Sequence, residues 1–374
     1  MAIYNTKNVV LLGAGASMAA GLPSAAELTR HLLDAREKLA ASQSISRSSI
    51  REIDKDIEWL KTVRQRMRPV VGRLNDLNHE NLEDLFRLWD AERTNLEEES
   101  EKQLPGIHPR LMPGYEYPRL VRLLALALAH SPNYPSASDI RPDSVYAWLA
   151  DIVARKSDQR GQSRPALITT NYDLIMEYAL KNHEYLDITY STSGSSDLHR
   201  ILDKDQSSCN EIHYLKVHGS INWLRTGPRQ PITRDRARSM IEADLSLTYI
   251  AKRYSDLGSD IEMVPPAPIK DATHRITWTD VWNEAYERIS SCRKLTIVGY
   301  SFAQSDMLVY DMIRLSIARS KNLQSVFIID SNADQVKSQF LSMFSDNFSS
   351  NIDVFCHNKL FNSKIKEWAQ EDIF

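Results

Sequence analysis

Three short stretches of this chain carry residue types that chemistry requires, and each stands at the end of a β-like run. Leu11-Leu12-Gly13-Ala14-Gly15-Ala16-Ser17 forms a glycine turn. A backbone without side chains at Gly13 and Gly15 can approach a phosphate closely, and a following helix N-terminus offers free N–H groups and a positive dipole end. Thr169-Thr170-Asn171-Tyr172-Asp173 supplies an amide and a carboxylate. Val217-His218-Gly219-Ser220 supplies an imidazole beside a residue that leaves room for a ligand. An imidazole titrates near neutrality and suits the removal of a proton from a sugar hydroxyl. A pyrophosphate held at the first turn would bring whatever it carries within reach of the other two.

Each stretch also has a plainer reading. Asn and Asp are preferred caps where a strand gives way to a helix, so Asn171 or Asp173 is expected to cap the helix that begins there. A strand-end histidine is commonly satisfied by nearby backbone, and a Gly-x-Gly is commonly a tight turn. The glycine turn also fails the dinucleotide fingerprint of hydride-transfer enzymes. Met18 occupies the place of its third glycine, which arrives only at Gly21. Asp34, at the spacing of the ribose-binding acid, falls in a helix through Leu28 to Leu33 and not after a second strand. Two later loops, Gly299-Tyr300-Ser301-Phe302 and Asp330-Ser331-Asn332, follow strong strands. A hydroxyl and a backbone turn at the first could meet phosphate, and Asp330 could accept from ribose hydroxyls. Both could equally be polar loops or helix caps.

The elements that must position these residues read as an α/β protein, a Rossmann-like, doubly wound and mostly parallel sheet. Strands are expected at Asn8–Leu12, Pro165–Thr169, Glu211–Val217, Leu295–Val298 and Val326–Ile329. Helices are expected from Ser24, where Ser24 and Glu27 have capping-box spacing, and at Pro118–His130, Asp143–Arg155, Asp173–Lys181, Val281–Ser291, Asp306–Ala318 and Ala333–Phe344. Ile352–Phe355 and then Ser363–Gln370 close the chain. Leu104–Tyr117, with Pro105, Pro109 and Pro113, reads as a loop. Residues 45–155 form a helical insertion after the first strand, containing an amphipathic segment at Asn81–Trp89, and residues 227–265 a second, smaller one. Gln230–Ser259 is charged and helical in part, and Pro265-Pro266 marks a turn. The whole, 1–374, is taken as one domain. In such a sheet, ligands lie outside the carboxyl ends of the strands.

Composition narrows the class. The 374 residues include 46 basic and 49 acidic side chains, for a net charge of −3, so no polycationic footprint for nucleic acid covers the chain. The basic run Arg225–Arg238 holds Pro228 and Pro231 and reads as a solvated loop. The longest apolar stretch, Leu120–His130, is interrupted by Arg122 and falls well short of the roughly 20 residues of a membrane span. Three scattered cysteines, Cys209, Cys292 and Cys356, make neither a disulfide framework nor a metal pair. Met1–Lys7 leads into a strand without an apolar targeting segment. A reduced, cytoplasmic protein without metal is expected.

Taken in order, Gly13-Ala14-Gly15-Ala16-Ser17 with Gly21-Leu22-Pro23, Thr170-Asn171-Tyr172-Asp173, His218-Gly219-Ser220 and Gly299-Tyr300-Ser301 resemble the sirtuin-like NAD-binding domain. Leu215–Trp223, and Gly299–Phe302 with Asp306, look like the bacterial sirtuin-like proteins of antiphage defence. The resemblance implies NAD+ as substrate and Asn171 and His218 as a catalytic pair. Asp173 would hold Asn171 and nicotinamide. Gly13, Ala14, Gly15 and Ser17 would bind pyrophosphate and ribose, with Gly299, Tyr300, Ser301 and Asp330 on the adenosine side.

Departures from deacylating sirtuins are also visible. Ser24-Ala25-Ala26 follows Pro23 where they carry Asp-Phe-Arg, Thr170 replaces a glutamine, and the chain cannot build their four-cysteine zinc module. These departures favour simple cleavage of NAD+, an NADase, over protein deacylation or ADP-ribosyl transfer. A sensor of NAD or ADP-ribose without turnover is the other alternative. The defence resemblance further implies a homo-oligomer, activity switched on by assembly or by an ATPase partner of the DNA-translocase type, and no membrane or sequence-specific nucleic acid partner.

Overall fold

The first strand, β1 (Asn8–Leu12), is buried along its whole length, as a Val/Leu run is when both faces of a parallel sheet are covered by helices. The computed structural model describes residues 8–24, 27–42, 45–71, 113–130, 144–155, 165–181, 187–189, 211–224, 247–252, 254, 261–263, 276–302, 306–345 and 352–358. Its other strands are β2 (Ala166–Thr169), β3 (Asp187–Thr189), β4 (Glu211–Lys216), β5 (Gly219–Leu224), β6 (Ile261–Met263), β7 (Lys294–Val298), β8 (Ser325–Ile329) and β9 (Asp353–His357). Seven of these form one sheet in the order β3-β4-β2-β1-β7-β8-β9. Every neighbouring pair in it runs parallel.

The chain therefore starts in the middle of the sheet, builds one half outward through β2 and β4 to β3, and returns to build the other through β7 and β8 to β9. β1 is the point where the strand order reverses, the place in such a sheet where a crevice opens beyond the carboxyl ends. The turns after β1, β2, β4, β7 and β8 all face that end. This bears out the expected α/β, Rossmann-like class. β5 and β6 form a separate antiparallel ribbon that was not expected. Its alternation is visible in hindsight, with Ile221 and Trp223 turned inward and nearly fully buried.

Helices α1 (Ala14–Ala19), α2 (Leu28–Ala40), α3 (Arg47–Val71), α4 (Pro113–His130) and α5 (Val145–Arg155) lie between β1 and β2. α4 begins at Pro113, inside the stretch expected to be a loop. Proline is well suited to the first helical position, where its missing N–H is not needed. α2 packs on both α3 and α4. In that layer the buried Asp56 of α3 accepts from Arg122 Nε of α4 at 2.8 Å, with Arg119 at 3.5 Å. Ser24 and Glu27 form half of the expected capping box, since Ser24 N–H donates to the Glu27 carboxylate at 2.9 Å. The remaining helices are α6 (Ile175–Lys181), α7 (Leu247–Lys252), α8 (Ile276–Ser291), α9 (Met307–Arg319) and α10 (Ala333–Leu341). Asn81–Trp89, Arg225–Arg238, Pro265-Pro266, Ser363–Gln370, Cys209 and the Leu104–Met112 part of the expected loop lie outside the described residues. Among the described residues, no helix is long and apolar enough to cross a membrane.

Three glycines join the centre of the sheet. Gly13 N–H donates to Val298 O at 2.9 Å and Gly15 N–H to Gly299 O at 2.8 Å. A Cβ at Gly15 would lie 2.8 Å from Gly299 Cα, and one at Gly13 would lie 2.6 Å from Tyr300 Cα. Gly299 has φ +60, and a Cβ there would lie 2.6 Å from the Gly15 carbonyl carbon. The bare α-carbons of the β1 turn thus face the turn after β7, and backbone packs directly on backbone. Gly299→Ala combines a left-handed conformation, costing about 1–2 kcal/mol, with overpacking against rigid backbone of about 1–3 kcal/mol. Thermal unfolding should show Gly299→Ala well below the native protein and below an exposed control such as Gln335→Ala. An unchanged melting temperature would refute the close-approach account.

Candidate active site

The β2–α6 turn delivers Asn171 beneath the glycine turn. Asn171 Nδ2 lies 2.8 Å from Gly13 O, 2.8 Å from Ser17 Oγ and 3.2 Å from the Tyr146 hydroxyl. A carbonyl oxygen only accepts, so the contact with Gly13 fixes which end of the amide is nitrogen. Asn171 Oδ1 is then turned away from these three partners. Its own backbone N–H donates to Thr169 Oγ1 at 3.0 Å, and that hydroxyl donates to Leu12 O at 3.0 Å. Both ends of the residue are thereby tied to the end of β1.

Ser17, from α1, is the centre of this network. Its hydroxyl donates to Asp173 Oδ2 at 2.6 Å and lies 2.7 Å from the Tyr146 hydroxyl. Burial, with the nearby Asp173 charge second, pushes the Tyr146 phenol well above its usual range, so Tyr146 keeps its proton and donates to Ser17. With Asn171 Nδ2 as a second donor, Ser17 Oγ gives one hydrogen bond and accepts two, its full capacity. The Ser17 hydroxyl, expected to meet pyrophosphate or ribose, is turned inward to hold Asn171. Asp173 also accepts from Ile175 N–H at 3.0 Å. The capping reading therefore applies to Asp173, while Asn171 caps nothing and faces the turn.

A buried ion pair lies underneath. Lys216, the last residue of β4, and Glu177 of α6 are both fully buried and meet at 2.8 Å. Lys216 Nζ also donates to the Asp173 carbonyl, so the pair clamps the β2–α6 turn to the end of β4. Loss of solvent raises the Glu177 carboxyl above its usual range, an effect the Lys216 charge opposes.

His218 follows two residues after Lys216, in the turn between β4 and β5, and is 6 % exposed. Its ring is stacked on Tyr172 at 6.1 Å between centroids and tilted against Trp282 at 6.5 Å. Trp282 Nε1 donates to Val217 O at 2.9 Å and holds the turn from α8. His218 Nε2 lies 3.1 Å from Asp306 Oδ1, and the Tyr300 hydroxyl donates to Asp306 Oδ2 at 3.2 Å. Tyr300 is thus directed at Asp306. Phe302 next to this group takes φ 52, a conformation uncommon for a bulky residue, and packs edge-on to Tyr300 at 5.0 Å.

The expected residues therefore fall into two groups. Gly13, Ser17, Asn171 and Asp173 meet directly, while Gly15 joins Gly299, and Tyr300 reaches His218 through Asp306. Ala14 and Ser301 are exposed at their turns. Asp330 is engaged with its own turn, its Oδ1 accepting from Asn332 N–H at 2.8 Å. Tyr146, Lys216 and Glu177 were not anticipated. A lysine between the apolar residues Tyr214, Leu215 and Val217 was the one available signal for the buried pair. Among the described residues, no group of His, Cys, Asp and Glu could hold a metal ion.

Residues 165–350 match the family model of the SIR2-like domain. The match begins at β2 and takes in Asn171, Asp173, His218, Gly299 and Asp306; the glycine turn lies outside it and joins the domain through the central strand β1. No curated protein matches the chain. Members of the SIR2-like family are NAD-dependent enzymes, and here the glycine turn, Asn171 and His218 follow β1, β2 and β4 of one parallel sheet.

Removing one member of a buried pair leaves the other charge uncompensated, at a cost of about 3–5 kcal/mol. Lys216→Met should destabilise the protein by that order. The loss should depend on pH in a known direction. Without Lys216 the Glu177 carboxyl rises further above its unfolded value near 4.5, so the folded state binds that proton more tightly than the unfolded chain. The stability deficit should therefore be smaller near pH 5 and grow as pH rises through the folded value. Denaturant unfolding of Lys216→Met at pH 5 and pH 8 measures it, and a deficit independent of pH would contradict the pair's role.

Proposed function

We propose that this protein is an NAD+ glycohydrolase, which cleaves the nicotinamide–ribose bond with water to give nicotinamide, ADP-ribose and a proton. The observation that supports it best is the locked amide of Asn171. Three hydrogen-bonding partners hold its nitrogen inward beside the glycine turn, and its oxygen is left for a group delivered there. His218 stands at the end of β4, the strand next to β2. A bond whose departing group is neutral nicotinamide breaks through an oxocarbenium-like transition state and calls for positioning more than covalent help. Asn171 orients the ribose hydroxyls and the attacking water, and His218 takes the proton released as water adds.

The motif departures already described favour water as the acceptor over an acyl-lysine. We further propose, on the resemblance to defence proteins alone, that the activity depletes NAD+ in antiphage defence. On the same ground it is switched on by self-assembly or by an ATPase partner, with residues 45–155 as the docking region. Activity that is constitutive in the monomer and unchanged by any partner would contradict that switch.

Nicotinamide release from NAD+ by the purified chain, alone and with its partner, tests the hydrolase. Asn171→Ala and His218→Ala should each lower the rate about 10²- to 10⁴-fold, the range a well-placed general base or orienting group supplies. Wild-type rates in both variants would exclude the assignment. Tight NAD+ binding without release would instead identify a sensor.

A further inference from the structure

Asp306 stands at the N-cap of α9, where an aspartate ordinarily accepts from the first N–H groups of its own helix. It does not do so: the cap has φ −118 and ψ 42 and makes no side-chain hydrogen bond to the helix. The carboxylate turns instead to two side chains, with Oδ1 3.1 Å from His218 Nε2 and Oδ2 3.2 Å from the Tyr300 hydroxyl. Both contacts are buried. The start of a 13-residue helix still stabilises its negative charge.

The partners come from opposite halves of the sheet. His218 follows β4, and Asp306 follows β7, with β2 and β1 between them in the strand order. Local chain geometry therefore cannot account for the meeting. From these contacts we infer that Asp306 is the positioning residue for His218, fixing its tautomer and ring orientation, with Tyr300 holding the second carboxylate oxygen. A carboxylate only accepts, so the imidazole nitrogen facing it carries hydrogen. The other nitrogen is then the basic one, and the carboxylate supports the imidazolium that forms when it takes a proton. Tyr172 and Trp282 pack about the ring without competing for that charge.

This inference rests on the hydrolase reading for its kinetic consequence, but the pair itself can be read without turnover. Asp306→Asn preserves shape and removes the charge. The Tyr300 hydroxyl would draw the new amide's oxygen to itself, which turns the amide nitrogen toward His218. The ring nitrogen there must then accept, so the tautomer should reverse. A long-range proton–nitrogen correlation spectrum of histidine-labelled protein should show His218 with hydrogen on Nε2 in the wild type and shifted toward Nδ1 in Asp306→Asn. Tyr300→Phe, which removes only the second anchor, should give a mixture and serves if Asp306→Asn is poorly folded.

In nicotinamide release, Asp306→Asn should lower kcat about 10- to 100-fold, part of the ~10²–10⁴ a general base supplies, with KM for NAD+ little changed. It should cost nothing further in a His218→Ala background, since residues that act as a unit are not additive. An unchanged His218 tautomer in Asp306→Asn, or losses that add in the double variant, would overturn the inference. If no form of the protein releases nicotinamide, the hydrolase reading falls and the spectrum alone decides Asp306.

Discussion

The contact on which the site depends is backbone against backbone at the centre of the sheet. Gly13 and Gly15 on one turn and Gly299 on the other approach so closely that a single methyl on any of them would overlap main-chain atoms. That approach sets where α1 begins, and the start of α1 sets where Ser17 lies. Ser17 in turn orients Asn171 and Asp173. On the other side, the same turn after β7 carries Tyr300 and leads to Asp306. Bare α-carbons in a Rossmann-like loop are usually explained by the approach of phosphate. Here they first permit two strand ends to come together, and any ligand benefits from a turn already fixed.

Beneath the crevice lies a dense set of buried polar groups, and its cost is contained because the groups satisfy one another. Ser17 uses its full hydrogen-bonding capacity, Tyr146 keeps its proton, and Lys216 meets both a carboxylate and a carbonyl. A buried network of this kind is worth little as stability, because removing charge from water is expensive. What it supplies is a single orientation for the Asn171 amide and a fixed β2–α6 turn. Tyr146 makes α5 part of that arrangement, so a helix that precedes the matched SIR2-like segment completes the site within it.

Much of the fold was legible because its signals are local. Val9–Leu12 and Val326–Ile329 are continuous apolar runs and Leu295–Val298 is broken only by Thr296, and the strands fall on them to within a residue or so. Turn residues at the carboxyl ends of the strands then marked the candidate site, with Asn171 after β2 and His218 after β4. The start of α4 at Pro113 was hidden because proline signals both loops and helix beginnings. The β5–β6 ribbon was hidden because its second strand is three residues long. The roles of Ser17, Tyr146 and Asp306 were beyond reach for another reason. Ser17 meets Asp173 from 156 residues away and Asp306 meets His218 from 88. Strand order brings them together, and no local pattern encodes it.

The two central residues are consequently held by different means. Asn171 is tied from below, by β1, α1 and α5, through short contacts that belong to the most buried part of the sheet. His218 is held from across the crevice, by a carboxylate on the segment between β7 and α9. The imidazole is therefore tied to the residues that follow β7 and open α9, where Phe302 takes a left-handed conformation.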